Sequence, residues 1–504
     1  MPATVYGAVL HGMQAIPVAV QADLLRRLPS MTMVGSLSAT VREAEPRVRS
    51  AIRAAGFEFP RCRVVVSLSP ADVKKDGTAF DLPVALAVLS ATSVVDAVQA
   101  RRWIFAGELD LEGELRGARG TIAIAWAARA AGFAGVIVPE AGCAEAALVS
   151  GVEVRSARTL REIVLFLNGA EPLPLAQRVP FSPRSHELDL KDVVGQELAR
   201  AALEVAAAGG HNLLMVGPPG CGKTMLASRL PGILPPLTEV EALECTRVYA
   251  AGTEWCGVES VVSERPFRAP HYSSSTAAMV GNCKLRPGEA SLAHNGVLFL
   301  DEFPEFRRDV REALRLPLEE RRIRLSFSSG SATFPASFSL VAAANVCPCG
   351  HAGNPRLPCT CHPSQRMRYR ERFSGPILDR IDLRVDLEPV LGSGLWDSAR
   401  AESSSAVGER VVRARRLQYA RNGDGVNNAA VPVDEAVNVA AATNEALSVL
   451  REATERIAAS ARVARRMLRV ARTVADLEAA PRVEPKHVLR ALSLRSTSLQ
   501  PETP

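Results

Sequence analysis

Gly217-Pro218-Pro219-Gly220-Cys221-Gly222-Lys223-Thr224 fits the pattern G-x-x-x-x-G-K-S/T at every position. The short apolar run His211–Val216 precedes it, and Met225–Leu230 continues it as a helix-forming run. Glycines let successive N–H groups turn inward around phosphate, and the helix N-terminus adds its partial positive charge. The stretch therefore predicts strand, phosphate loop and helix, the seed of an α/β domain with a parallel sheet. Lys223 is expected to reach the β- and γ-phosphates of ATP, and the Thr224 hydroxyl to ligate Mg²⁺. Cys221 occupies a free position and reads as a small filler.

A phosphate cradle needs a second metal ligand and a group that positions water. Gly296-Val297-Leu298-Phe299-Leu300-Asp301-Glu302 supplies both, as an apolar strand ending in two carboxylates. Asp301 is expected to hold Mg²⁺, and Glu302 to orient and polarise the attacking water. Another apolar strand, Phe338–Ala344, ends at the amide Asn345, which can orient the same water. Further on stands Ser374-Gly375-Pro376-Ile377-Leu378-Asp379-Arg380-Ile381-Asp382.

This order of motifs is similar to that of AAA+ proteins. The chain resembles their Mg-chelatase-like branch, close to the ComM/YifB group. The resemblance rests on GPPGCGKT, RPFRAPHYSSSTAAMVG (265–281), RPGEASLAHNGVLFLDEFPEF (286–306), the CPCG cluster, SGPILDRIDL (374–383) and SLSPADVKKDGTAFDLPVAL (67–86), so it covers nearly the whole chain. It implies that Asn345 is the first sensor, that Arg380 is an arginine finger acting on ATP in a neighbouring subunit, and that Arg462 is the second sensor on a helical lid. Val346 stands where the family usually has Pro, and Tyr272 where a second His usually follows Ala-Pro-His; neither change removes a catalytic group.

The resemblance extends to a Lon-protease-like N-terminal domain. Ala79 falls where the Lon nucleophile would be, and Ile122 where its Lys base would be. A Ser–Lys dyad needs both groups, so no peptidase activity is expected. Asp72, Lys74 and Lys75 remain as a polar loop open to DNA or a neighbouring subunit. The implied activity is ATP-driven movement on DNA by a homo-oligomeric ring, a hexamer, with branch migration or helicase action in transformation and recombination. The alternatives are a Mg-chelatase-type motor remodelling a metal-insertion partner and an ATP-dependent protease.

Cys347-Pro348-Cys349 and Cys359-Thr360-Cys361 form C-x-C-x₉-C-x-C. Four thiolates can close a tetrahedral Zn²⁺ site, with His351 and His362 as possible substitutes. Gly350, Gly353, Pro355 and Pro358 mark the intervening chain as a loop that a structural zinc would hold.

Basic residues form three groups. Arg322 and Arg324 alternate with Ile323 and Leu325, and Ser328–Ser331 reads as the turn of a hairpin completed by Ala332–Phe334. Lys284 and Arg286 sit in a segment, 278–287, that looks like the helix-2 insert of the resembling branch. Both groups suit a backbone-tracking DNA contact in a ring pore. Arg410, Arg413, Arg415 and Arg416 read instead as a solvated or inter-subunit face.

The remaining composition sets bounds. The chain has 504 residues and a formal net charge of +6, carried by 54 arginines and only six lysines. Two to four domains are expected at roughly 100–200 residues each. The strand–helix alternation and its interruptions divide the chain into residues 1–170, a Pro-rich linker at 171–188, the ATPase core at 189–393 with its cysteine insert at 347–361, a helical domain at 394–496 and a polar tail at 497–504. The fold class is thus multi-domain α/β with a C-terminal helical lid. The sequence contains no apolar run of membrane-spanning length and shows no secretory signal. A cytoplasmic protein without a disulfide framework is expected.

Overall fold

The computed structural model describes residues 2–178, 180–184, 186–252, 261–328, 330–352, 357–373, 377–389, 401–456 and 459–495. Ser329 of the expected turn, Gly353 and Pro355 of the cysteine loop, the stretch Ser374-Gly375-Pro376, residues 394–400 and the tail 497–504 lie outside the described residues. No described helix is long and apolar enough to cross a membrane.

The N-terminal part is a mixed seven-stranded sheet. Its order is Ser30–Val34, Arg63–Ser69, Gln14–Leu25, Ala3–His11, Trp103–Phe105, Gly135–Pro139, Glu153–Ala157. Ala3–His11 pairs antiparallel along its whole length with residues 14–22 of Gln14–Leu25 through a tight turn at Gly12, whose φ is +60°. The helix Asp81–Ala91 is apolar almost all round, and all but its last residue are buried. The apolar-periodic run 38–55 forms two helices, Ala39–Arg42 and Ala44–Ala54. Pro46 explains the break, because it has no N–H to give the Arg42 carbonyl and its ring would strike that group. Lys75 is fully buried, and its ammonium donates to the Pro70 carbonyl. This corrects the reading of Lys75 as a surface contact; Asp72 and Lys74 are exposed. The Pro-rich linker starts as a strap against the sheet edge, where Leu173 is buried and Ala176 N–H donates to Val154 O at 2.9 Å.

The second part carries a five-stranded sheet, all parallel, in the order Phe267–Arg268, Val297–Leu300, Ser339–Ala344, Leu213–Val216, Leu383–Asp386. Parallel sheets bury both faces, and the alternation of side chains is visible here. Leu213, Met215, Val297, Phe299, Val341 and Ala343 enter one apolar cluster, while Leu214, Leu298, Leu300, Leu340 and Ala342 enter another. The alanine-rich helix Glu197–Gly209 covers the first face.

Helices Ser404–Asn422, Ala436–Ala440, Asn444–Arg456, Ala461–Leu477 and Pro485–Ser493 form the third part and share that first cluster. The expected solvated or inter-subunit arginine face is corrected at two positions. Arg410 pairs with Glu204 and Glu402, and Arg415 is buried, donating to the Ala207 carbonyl at 2.7 Å. These guanidiniums anchor the long helix to the ATPase core. A second anchor is the buried His211, which bridges Asp382 (3.1 Å) and Thr473 (2.8 Å). Arg466 and Arg469 stand 4.0 and 3.6 Å from the same carboxylate.

Burial pushes the Asp382 carboxyl up, but the His211 hydrogen bond and the His211, Arg469 and Arg466 charges outweigh it and hold its pKa at about 2. A depressed carboxyl stabilises the fold above its unfolded pKa and loses that contribution as pH falls through the folded value. Asp382→Asn should therefore lower unfolding free energy by about 3 kcal/mol at pH 7, and the deficit should shrink between about pH 4 and pH 2. Denaturant melts at several pH values would check both the size and the sign.

Candidate functional site

Parallel strands end together. Beyond Val216 comes the glycine loop, beyond Leu300 come Asp301 and Glu302, and beyond Ala344 comes Asn345. Gly220 (φ +77°) and Gly222 (φ +90°) adopt the left-handed conformation, and an added Cβ at either would meet open space. Glycine is needed there for its backbone conformation. The main chain then turns at Gly222 into the helix Lys223–Ala227.

The Lys223 ammonium is buried under this loop. It donates to the carbonyls of Gly217 (2.8 Å) and Pro218 (2.9 Å) and to Asn345 Oδ1 (3.1 Å). Thr224 Oγ1 donates to Asp301 Oδ2 at 2.9 Å. A hydroxyl and a carboxylate in contact at the mouth of a phosphate loop suit a hard cation, and Mg²⁺ fits this pair of oxygens. Glu302 stands beside them, exposed, with φ +50°; its N–H donates to Asp301 Oδ1 at 2.9 Å. Lys223, Thr224, Asp301, Glu302 and Asn345 are thus gathered at one sheet edge. Cys221 is buried, as a filler would be.

Sequence reasoning missed Gln196. Its side chain donates to the carbonyls of Cys221 (3.3 Å) and Glu388 (2.6 Å), so it ties the phosphate loop to the chain leaving the last strand. Gln196 has φ +54°, and the Gly195-Gln196 step just ahead of a helix is the one local signal that could have pointed to it.

Arg380 and Arg462 do not join this edge. Asn212 precedes the phosphate-loop strand, and its side chain donates to the Arg380 carbonyl at 2.8 Å. The phosphate loop lies at the other end of that strand, on the order of 15 Å away. Arg380 is buried and ion-paired with Glu319, and Arg462 Nη2 lies 2.9 Å from the same Glu319 oxygen.

The four thiols of Cys347, Cys349, Cys359 and Cys361 lie within 4.8 Å of one another. Three of the sulfur–sulfur distances are 3.4, 3.7 and 3.5 Å. A tetrahedron of sulfurs with Zn–S near 2.3 Å has edges of about 3.8 Å, so the arrangement fits zinc closely. Backbone N–H groups of Cys349 and Ala352 point at Cys361 and Cys347 sulfurs, each at 3.3 Å, as they do toward thiolates. His362 is used otherwise: it caps the helix Pro363–Glu371. Gly350 in this loop approaches Pro219 so closely that a Cβ would stand 2.6 Å from the proline ring.

The hairpin is present as strands Arg322–Phe327 and Gly330–Pro335. Its turn is tighter than the expected four residues, since Ser326 pairs with Ser331 and Phe327 with Gly330. Ile323 and Leu325 are buried, whereas Arg322 and Arg324 are exposed and flank Glu320 at 3.2 and 3.8 Å. The segment holding Lys284 and Arg286 packs against this hairpin. Leu285 joins Ile323 and Leu325 in one cluster, and Gly281 faces Leu325. Lys284 is exposed and Arg286 half-buried.

Comparison with known proteins decides the family. The family description "Magnesium chelatase, subunit ChlI" matches residues 189–393, and the descriptions of its further ChlI segments match 20–142 and 401–495. The competence protein ComM of Haemophilus influenzae is 42% identical over 503 residues, covering 98% of this chain and 97% of its own. The chain belongs to the magnesium-chelatase ChlI family, as a ComM/YifB-like member of the AAA+ ATPases. The protein YifB of Salmonella typhimurium is likewise 42% identical over 501 residues, with 97% of each chain covered. A shorter likeness, 25% over 203 residues, links 37% of this chain to 21% of the DNA replication licensing factor MCM6 of Oryza sativa subsp. indica. The ChlI family fold agrees with the multi-domain α/β architecture above, and AAA+ membership implies ATP and Mg²⁺ as cofactors.

Proposed function

We propose that this ChlI-family ATPase assembles into a hexameric ring that moves along DNA in the cytoplasm, with branch migration or helicase action in recombination as its task. The observation that carries the reading is the joint packing of two basic elements, the hairpin with Arg322 and Arg324 and the segment with Lys284 and Arg286, on one apolar cluster of the ATPase core. Cations spaced along a backbone track suit phosphates of any sequence. The names of two relatives, a competence protein and a DNA replication licensing factor, point the same way.

Within that reading the roles divide as follows. Gly217, Pro218, Pro219, Gly220, Cys221 and Gly222 cradle phosphate with their main chain, and Lys223 neutralises it. Thr224 and Asp301 hold Mg²⁺, which supplies charge neutralisation on the phosphates. Glu302 takes up the proton of the attacking water and Asn345 fixes that water. Arg380 and Arg462 serve the phosphates bound by a neighbouring subunit. Cys347, Cys349, Cys359 and Cys361 hold a structural zinc.

Three outcomes follow. Lys223→Ala should weaken ATP binding, while Glu302→Gln should bind ATP normally and lose turnover by about 10²–10⁴; equilibrium binding and steady-state kinetics separate the two, and near-normal turnover of Glu302→Gln rejects the role of that carboxylate. Protein purified under reducing, chelator-free conditions should carry about one zinc per chain, and the Cys359→Ser, Cys361→Ser double variant should lose it and melt earlier. Metal analysis and calorimetry test this.

Arg322→Ala with Arg324→Ala should remove about two salt-sensitive contacts, so that the slope of log affinity for DNA against log salt falls by about 2. Basal ATPase should survive, and DNA-stimulated turnover and strand movement should fall together. Unchanged DNA affinity and unwinding in an intact ring would instead favour a chelatase-type motor acting on a protein partner.

A further inference from the structure

The helix Arg315–Glu320 ends in two adjacent carboxylates that do different things. Glu320 faces the hairpin arginines, 3.2 Å from Arg322 and 3.8 Å from Arg324. Glu319 faces the other way. One of its oxygens, Oε1, accepts from Nη2 of both Arg380 and Arg462, with the Arg462 contact at 2.9 Å. These two arginines come from distant parts of the chain, one at the start of the last sheet strand and one on the lid helix Ala461–Leu477.

Two guanidiniums on one oxygen sit within a few ångströms of each other. Like charges at that separation repel unless an anion lies between them. The neighbouring arginines of the lid do not compete for this anion, since Arg466 and Arg469 lie against Asp382 at 4.0 and 3.6 Å. Arg380 is held within the fold at 9% exposure, whereas Arg462 is 53% exposed and its long side chain is directed by this contact. The pair sits at the sheet edge opposite the phosphate loop, so it cannot reach ATP bound by its own chain.

We infer that Glu319 is a positioning residue that clamps Arg380 and Arg462 into a single two-guanidinium unit presented to the phosphates of ATP held by the next subunit. The inference rests on the ring-ATPase reading above. It adds that a carboxylate away from the nucleotide-binding edge sets the spacing of the two arginines. A guanidinium pair aligned in advance stabilises charge that develops on the transferring phosphoryl group, so loss of the clamp reduces turnover rather than ATP affinity.

The test uses the full-length protein. Glu319→Gln keeps the size and an acceptor oxygen but removes the charge. It should lower kcat about tenfold or more, leave the dissociation constant of a fluorescent ATP analogue within twofold, and run as the wild-type oligomer on sizing. Arg462→Gln should behave alike, and the double variant should be no worse than either single one, because the residues act as a unit. The decisive readout is mixing. Lys223→Ala chains cannot use their own ATP but present an intact Glu319 unit to a neighbour, so a one-to-one mixture with Glu319→Gln chains should turn over ATP faster than the sum of the two alone. A Glu319 that only supports the fold predicts a parallel loss of thermal stability and no gain on mixing. Wild-type kcat in Glu319→Gln, or a mixture no faster than that sum, overturns the inference. Should Glu319→Gln not fold, Arg462→Gln, on the half-exposed partner, is mixed with Lys223→Ala in its place, and the same absence of gain overturns it. Lack of ATPase or oligomer in the wild-type chain would instead sink the ring reading itself.

Discussion

A sheet whose strands all run the same way has two unlike edges, and the arrangement of this protein follows from that constraint. Every strand C-terminus of the ATPase core emerges on one side, so the phosphate loop, the adjacent pair Asp301 and Glu302, and Asn345 meet although these three stretches lie far apart in sequence. Every N-terminus emerges on the other, where Asn212 holds the main chain at Arg380. One chain therefore owns the groups that bind a phosphate and the guanidiniums that suit it, but on opposite sides. In the proposed ring these halves are completed between neighbours.

Arginine does much of the structural work. With 54 of them, surface charge is the natural expectation for any one. Yet Arg415 is buried against a helix-end carbonyl, Arg410 closes between two carboxylates, and Arg466 and Arg469 face Asp382. A guanidinium has five donors in a fixed plane and so can satisfy carbonyls and carboxylates from several elements at once. The lid is tied to the core by such contacts and by His211, and the core is tied to the hairpin through the helix that carries Glu319 and Glu320.

The cysteine loop belongs to the same mechanical unit. It follows Asn345 directly, and its Gly350 rests on Pro219 of the phosphate loop. Gly350 has φ +81°, so both its conformation and the approach of the proline ring require glycine. A metal that fixes four sulfurs would thereby fix the surface on which the phosphate loop leans.

The nucleotide edge was legible because its chemistry is local: backbone torsions demand glycine at 220 and 222, and a strand must deliver Asp301 and Glu302 side by side. The hairpin was legible from its alternation, and the break at Glu43 was open to a reading that gave Pro46 its full weight. The four cysteines also declare themselves by spacing. Sequence did not reveal which arginines are structural, that Lys75 is interior, that Gln196 holds the phosphate loop, or that Arg380 and Arg462 share Glu319. Most of those facts depend on partners far along the chain, 25 residues away for Gln196 and Cys221, 143 for Arg462 and Glu319, and 208 for Arg415 and Ala207, brought together only by packing. Local propensity and motif spacing determine which elements form and where phosphate binds; the tertiary fold decides which charges are paired, because an ion pair is a property of two positions in space and the chain specifies only one of them at a time.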